Sequence, residues 1–338
     1  MALRFVDSFD DRDTTHLVAK YNAALDVNVQ IDAAGRNGTS GCKKNGSDKF
    51  LQKSLNSEPE WIVGMAVYLP SFVSLGGRNI CTFSDSGTSQ CYFDIAPTGH
   101  LRFYAPAGLI GSSSAPLSLN TWHYVEFKVL IDNAGSAEAR IDEVVVYTVA
   151  VDTQATASSS ANAIQIAAMY ENLFVDDLYI CDANDGIHDN YLGDNRVECI
   201  LPNGAGAPAT AEWVSSGGGA SVFGNVDDNP PDDDATYNYR DAAGLPLKDV
   251  WAFPAIASAS GIINGVQINT LCRKDDAGVV SMEHVTRSGG ADYNSASFNV
   301  PTGGYVYEST VRDQDPNGPI NWTVANVNLA EFGYRRSA

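Results

Sequence analysis

The chain has 338 residues, 44% of them hydrophobic and 18% charged, and its 41 acidic side chains against 21 basic ones leave a net charge of −20. So acidic a surface repels phosphate backbones and anionic lipid headgroups, and Lys and Arg never cluster beyond pairs such as Lys43-Lys44, which argues against nucleic acid and membrane as partners. No eighteen apolar residues run together, so no spanning helix is predicted.

The first residues, MALRFVDSFDDRD, lack a basic stretch followed by an apolar core, which predicts folding in a cytoplasm without a secretory leader. Strand after strand follows. In WIVGMAVYL (61–69), Trp61, Val63, Met65, Val67 and Leu69 share one face at period two. Cys81 and Cys91 flank TFSDSGTSQ, a hairpin pattern turning near Asp85-Ser86-Gly87. Such a turn brings the two cysteines within cross-strand reach, a candidate disulfide, although cytoplasmic folding favours a pair of buried thiols. Cys42, Cys181, Cys199 and Cys272 remain as thiols or as links between subunits; no two cysteines stand at CxxC spacing, so zinc is not expected.

LRFYA (101–105), TWHYVEFKVLID (121–132), EARIDEVVVYTVAVD (138–152), NAIQIAAM (162–169) and NLFVDDLYICD (172–182) continue the alternation. About ten strands with short polar turns and no convincing helix predict two packed antiparallel sheets. In EARIDE, Glu138 and Asp142 share a face but Glu143 does not, and Arg140 lies between; that suits a salt-bridged surface better than a glycosidase carboxylate pair. The histidines at 16, 100, 123, 188 and 284 are scattered, with neither G-x-S-x-G nor H-E-x-x-H nearby, and His123 reads as a partly buried, hydrogen-bonded side chain. No catalytic residue, cofactor or metal site is predicted.

TWHYVEFKVLID, then ARIDEVVVYT and FVDDLYICD, resemble the concanavalin A-like and laminin-G-like jelly rolls. That resemblance implies a concanavalin A-like sandwich for residues 1–185, closing in the turn-rich DANDGIHDNYLGD, and says little about ligand. Exposed aromatics such as Trp122, Tyr104 or Tyr170 are candidates for stacking on a sugar ring.

Residues 186–338 alternate again in GVQINTLCRKDDAG, VVSMEHVTRSGG, YNSASFNV and YVYESTVRD, with Thr323 poised to cap one short helix in NWTVANVNLAEFGYRR. A second β-sandwich with one short helix is expected. VDDNPPDDDATYN holds Asp227, Asp228, Asp232, Asp233 and Asp234, which reads as an ordered acidic loop or subunit contact ahead of a cation site. DQDPNG matches the first half of a calcium loop but has Val324 where the bidentate Glu belongs, so it and DANDGIHDN read as turns whose Asx side chains bond their own backbone.

Taken together, LGDNRVECILPNGAG, DDNPPDDDATY, GVQINTLCRKDDAG and PINWTVANVNLAEFGYR resemble structural proteins of tailed-bacteriophage virions. The resemblance implies a non-enzymatic neck or collar attachment or fibre-like appendage. Such a part folds in the host cytoplasm and assembles as a symmetric homo-oligomer on neck, portal, tail or capsid proteins. The alternative is a carbohydrate-binding receptor or adhesion module with a host glycan as partner; a polysaccharide hydrolase ranks third.

Overall fold

A computed structural model describes residues 2–22, 29–44, 51–72, 78–166, 173–184, 186–240, 247–258 and 260–337. Strands dominate these residues, and α-helix is confined to Leu17–Lys20 and Val324–Leu329, so the chain is all-β as expected. It divides into two compact units, Met1–Asp10 with Tyr21–Val197 and Asp11–Lys20 with Glu198–Ala338.

The first unit is a sandwich of two antiparallel sheets. One sheet runs Val144–Ala150, Ser136–Ile141, Trp122–Leu130, Glu60–Tyr68, Leu173–Asp182, Gly41–Lys44, Val29–Asp32, with Leu3–Asp7 also paired to Leu173–Asp182. The other runs Leu51–Glu58, Ala161–Ile166, Arg78–Asp85, Thr88–Ile95, His100–Ala105, Gly108–Pro116. The register places Trp61, Val63 and Met65 opposite Val129, Phe127 and Val125, all buried on one face. Phe93 of the second sheet stacks on Phe127 at 4.5 Å between ring centres, and Trp61 donates its indole N–H to the Ala161 carbonyl at 3.0 Å. Each fully buried side chain of this size contributes roughly 1.5–3 kcal/mol.

The larger sheet is covered on its other face too, by the irregular segment 192–197. Backbone N–H groups there have no strand to pair with, and the sheet supplies acceptors instead. Leu192 donates to the Tyr179 hydroxyl at 3.2 Å, Gly193 to Glu126 Oε1 at 2.9 Å, and Val197 to Asp177 Oδ1 at 2.7 Å. Glu126 is fully buried, with Tyr179 donating to the same Oε1, and burial pushes its carboxyl above the usual range. Burial and the neighbouring Asp177 push Asp176 up to about 8, although it accepts the Arg36 and Asp177 backbone N–H groups.

The second unit has a six-stranded sheet of Gly204–Ala211, Leu247–Ala252, Glu331–Arg336, Ser281–Ser288 and Ala291–Asn294, with Phe298–Asn299 also on Ser281–Ser288. A separate ribbon pairs Val266–Cys272 with Val306–Arg312. His284 links the two. Its Nδ1 lies 2.7 Å from Thr310 Oγ1 and its Nε2 3.1 Å from Thr270 Oγ1, fully out of solvent. Apolar packing follows on either side, Ile268, Trp322, Val327 and Phe332 in one cluster and Cys272, Met282, Val300 and Tyr334 in another. Thr323 caps the helix as expected, its hydroxyl accepting the Asn326 N–H at 3.1 Å. The segment Asp11–Lys20 lies against the ribbon, where Tyr307 donates to the Asp11 carbonyl at 3.0 Å and Lys20 pairs with Asp11 at 3.2 Å.

The candidate disulfide is corrected, and the buried-thiol reading of the pair holds. Cys81 and Cys91 are not a disulfide: they share the core face, but the register sets Cys81 opposite Phe93 and Cys91 opposite Phe83. The two cysteines are therefore diagonal, a spacing wider than directly paired residues and beyond an unstrained bridge. Cys42, Cys181 and Cys272 are buried as well, so their sulfurs lie inside the units and not on a surface where chains could link; Cys199 is half-buried.

Candidate functional site

The smaller sheet of the first unit turns one face to the core and the other outward. On Thr88–Ile95 and His100–Ala105 the inward residues are Cys91, Phe93, Ile95, Leu101 and Phe103, all buried. Period-two alternation then sends Tyr92, Asp94, Arg102 and Tyr104 outward. In register, Gln52, Gln165, Thr82, Tyr92, Tyr104 and Leu109 form one unbroken row across all six strands. A second row beside it runs Asn79, Asp94, Arg102, Ser112.

At the centre of the first row, Tyr92 and Tyr104 stack with ring centres 4.7 Å apart and planes within 10°. Each ring is half-buried, and the Arg102 guanidinium lies over the Tyr104 ring at 5.5 Å from its centre. Burial, with Tyr104 and Asp94 adjacent, raises the Tyr92 phenol above its ordinary range, so it is a hydrogen-bond donor and not a base at neutral pH. Arg102 grips Asp94 with two parallel bonds of 2.8 and 2.7 Å. Burial raises the Asp94 carboxyl while Arg102 opposes the rise, and the bidentate pair spends the charge of both partners.

The polar side chains around the tyrosines are held in place. Gln165 donates to Gln52 at 3.1 Å, and Asn79 donates to the Thr82 hydroxyl at 3.2 Å. Gln90 fixes loop 155–160 at one end of the face, donating to the carbonyls of Ser158 and Ser160 and accepting from the N–H groups of Ala155 and Thr156. Ser84, one row from Thr82, presents a buried hydroxyl with no partner among the described residues. The result is a partly exposed aromatic pair flanked by the Gln52 and Gln165 amides, while Thr82, Ser84 and Asp94 of the same face are buried and Asp94 is paired with Arg102. Chemically it suits an uncharged polyhydroxylated ligand, apolar on its C–H face and polar at its rim.

The residues singled out from sequence fall as follows. Tyr104 is in the platform. Trp122 is half-buried on the other sheet against Tyr68 at 5.6 Å, and Tyr170 lies outside the described residues. Tyr92, Gln52 and Gln165 were missed; alternation in TSQCYFDI carried the signal for Tyr92, but the amides needed the register.

The acidic loop is built from hydrogen bonds. Thr236 donates its hydroxyl to Asp228 Oδ2 at 3.1 Å and to Asp232 Oδ2 at 2.9 Å, and its N–H to Asp232 Oδ1 at 3.1 Å. Asp233 Oδ1 meets His16 Nε2 at 3.2 Å, and Asp234 Oδ1 accepts Arg273 at 2.7 Å and the Tyr305 hydroxyl at 2.8 Å. Arg273 holds the Asp234 carboxyl below the usual range, while Asp227 is half-buried. Among the described residues no three His, Cys, Asp or Glu side chains gather as a metal site. In the calcium-like loop, Asp315 Oδ1 accepts the Asn317 N–H at 3.0 Å, and in DANDG Asp182 Oδ1 accepts the Asn184 N–H at 3.0 Å, both Asx turns.

No protein-family model matches the chain, and no curated protein matches it in sequence. Several solved structures do match. The endo-β-1,4-glucuronan lyase of the fungus Trichoderma reesei is 14% identical over 53% of this chain and 95% of its own, with a TM-score of 0.39. The alginate lyase Aly36B is 11% identical over 53% and 96%, TM-score 0.39. The cellulose-induced protein Cip1 is 14% identical over 57% and 100%, TM-score 0.42. The expectation of a non-enzymatic chain is corrected here: two of these similar structures are lyases.

Proposed function

We propose that the chain binds carbohydrate on the outward face of the smaller sheet of its first unit. The observation that carries this reading is the stacked Tyr92–Tyr104 pair at the centre of a cross-strand row of amide and hydroxyl side chains. Sugar rings pair an apolar C–H face with a polar rim, and a ring face beside fixed hydrogen-bonding groups matches both. With Arg102 closed on Asp94 and a net charge of −20, the face favours neutral glycans over polyanionic ones.

Glycan-array binding followed by calorimetry on the full chain tests this. Binding to neutral oligosaccharides, weakened in Tyr92→Ala, supports it; an array with no hit overturns it. The sequence's resemblance to tailed-phage structural proteins supports a setting for this site on a virion, as a receptor or adhesion module. Mass spectrometry of purified particles checks that setting separately, and the chain's absence from them would remove it.

A further inference from the structure

A second constellation of reactive groups lies in the first unit, outside the tyrosine platform. Ser118, in the connection between Gly108–Pro116 and Trp122–Leu130, places its Oγ 2.7 Å from His123 Nε2. His123 Nδ1 is 2.7 Å from Asp142 Oδ2. The other carboxylate oxygen, Oδ1, accepts the Tyr124 N–H at 2.9 Å, and the Asp142 N–H in turn donates to the Tyr124 carbonyl at 2.8 Å, which fixes the carboxylate's orientation. The serine is exposed, whereas the imidazole is only 14% exposed.

Proton positions in this relay follow from the backbone. The Ser118 N–H also points at Nε2, at 3.1 Å, so Nε2 carries a lone pair. In the neutral ring the proton therefore sits on Nδ1 and is donated to Asp142, and the Ser118 hydroxyl must be the donor to Nε2. That is the tautomer a general base needs: imidazole oriented by a carboxylate on one side and facing a hydroxyl on the other. The backbone around it is held as well, Leu117 N–H bonding to the Gly99 carbonyl at 2.9 Å and Asn120 N–H to the Leu69 carbonyl at 2.8 Å.

The geometry points to Ser118 as a nucleophile activated by His123 and Asp142, acting on small acyl esters. Ser118 Oγ attacks the ester carbonyl carbon as its proton passes to His123 Nε2. The C–O bond to the alcohol breaks, and the imidazolium returns that proton to the departing alkoxide. Water then repeats the sequence on the acyl-serine, releasing the acid and restoring the hydroxyl. Because the Ser118 N–H is already directed at Nε2, it does not serve the oxyanion, so esters of good leaving groups are the substrates this site turns over. This site is independent of the tyrosine platform and of whatever that face binds.

The test treats the full chain with an alkyl fluorophosphonate, from which serine attack displaces fluoride, and maps the adduct by mass spectrometry. One phosphonyl group on Ser118 is expected, absent in Ser118→Ala and formed roughly 100-fold or more slowly in His123→Gln. Asp142→Asn, which keeps the shape of the carboxylate and removes its charge, is expected to slow labelling as well. Far-UV circular dichroism confirms that each variant is folded, and if His123→Gln is not, the Asp142→Asn rate decides. No adduct on Ser118 of the folded chain, or labelling at the same rate when the imidazole or carboxylate is changed, overturns the assignment and leaves the relay as a brace for the turn.

Discussion

Asp233, in the middle of the acidic stretch 226–238, meets His16 Nε2 at 3.2 Å, while the His16 Nδ1 lies 2.6 Å from Asp13. One histidine thus joins the segment Asp11–Lys20 to the loop within the second unit. Four of the loop's five aspartates, Asp228, Asp232, Asp233 and Asp234, are engaged by Thr236, His16, Arg273 and Tyr305. The expected outcome is that excess chelator leaves the melting temperature within about 1 °C. Arg273→Ala should leave the denaturation midpoint nearly unchanged, because the Asp234 carboxylate is solvent-exposed, and His16→Gln should cost no more than about 1 kcal/mol. Denaturant titration checks the second figure, and a large drop with chelator would show that a cation holds the loop.

His284 makes the stability of the second unit depend on acidity. Burial, with Arg312 nearby, lowers its imidazole to about 4, below the ordinary value of about 6.5. The unfolded chain therefore binds a proton that the folded one refuses between those limits. Stability is complete above about pH 6.5 and falls as pH drops towards 4, by up to about 3 kcal/mol from this group. His284→Asn should lower stability at pH 7 but flatten this segment of the pH profile relative to the parent. Equilibrium unfolding at a series of pH values reads both effects, and parallel profiles would contradict the assignment.

Gly64 exists to admit a ring. A Cβ built there would lie 2.1 Å from Tyr179 Cε1, and that ring is fixed by its bonds to Glu126 and Leu192. Gly64→Ala should destabilise the first unit by roughly 1–3 kcal/mol, as overpacking does where the neighbour cannot move. A thermal melt measures it; an unchanged transition would show that the ring has room to shift.

Cys81 and Cys91 are both buried, and burial raises each thiol well above its ordinary range. Neither should react with a thiol reagent in the folded chain, and both should react after unfolding. Counting modified thiols by mass under native and denaturing conditions checks this.

The layered β architecture was legible because alternation in WIVGMAVYL and TWHYVEFKVLID is a direct imprint of a two-faced sheet. The helix cap at Thr323 was legible for the same local reason. What escaped was set by register. The cysteine pair looked bridgeable because a turn centred on Ser86 would set the two opposite each other, but the turn is the two-residue Ser86-Gly87, with Asp85 opposite Thr88, and the register that follows leaves the two cysteines diagonal. Glu126 alternates like a surface residue and is instead buried beneath segment 192–197, whose irregular backbone carries no pattern. The row from Gln52 to Tyr104 spans five strands, and the Ser118–His123–Asp142 relay spans a turn and a hairpin; neither spacing matches a linear motif. Sequence periodicity reveals which face a residue takes, while side-by-side neighbours across strands depend on pairing that only the fold decides.

The most direct test of the carbohydrate-binding reading is calorimetric titration of the full chain with the neutral oligosaccharide that scores highest on an array, repeated with Tyr92→Ala and Tyr104→Ala. The stacked platform predicts saturable binding and a loss of roughly tenfold or more in each variant, with folding intact. Binding unchanged in both tyrosine variants, or no binding to any neutral glycan, would contradict it.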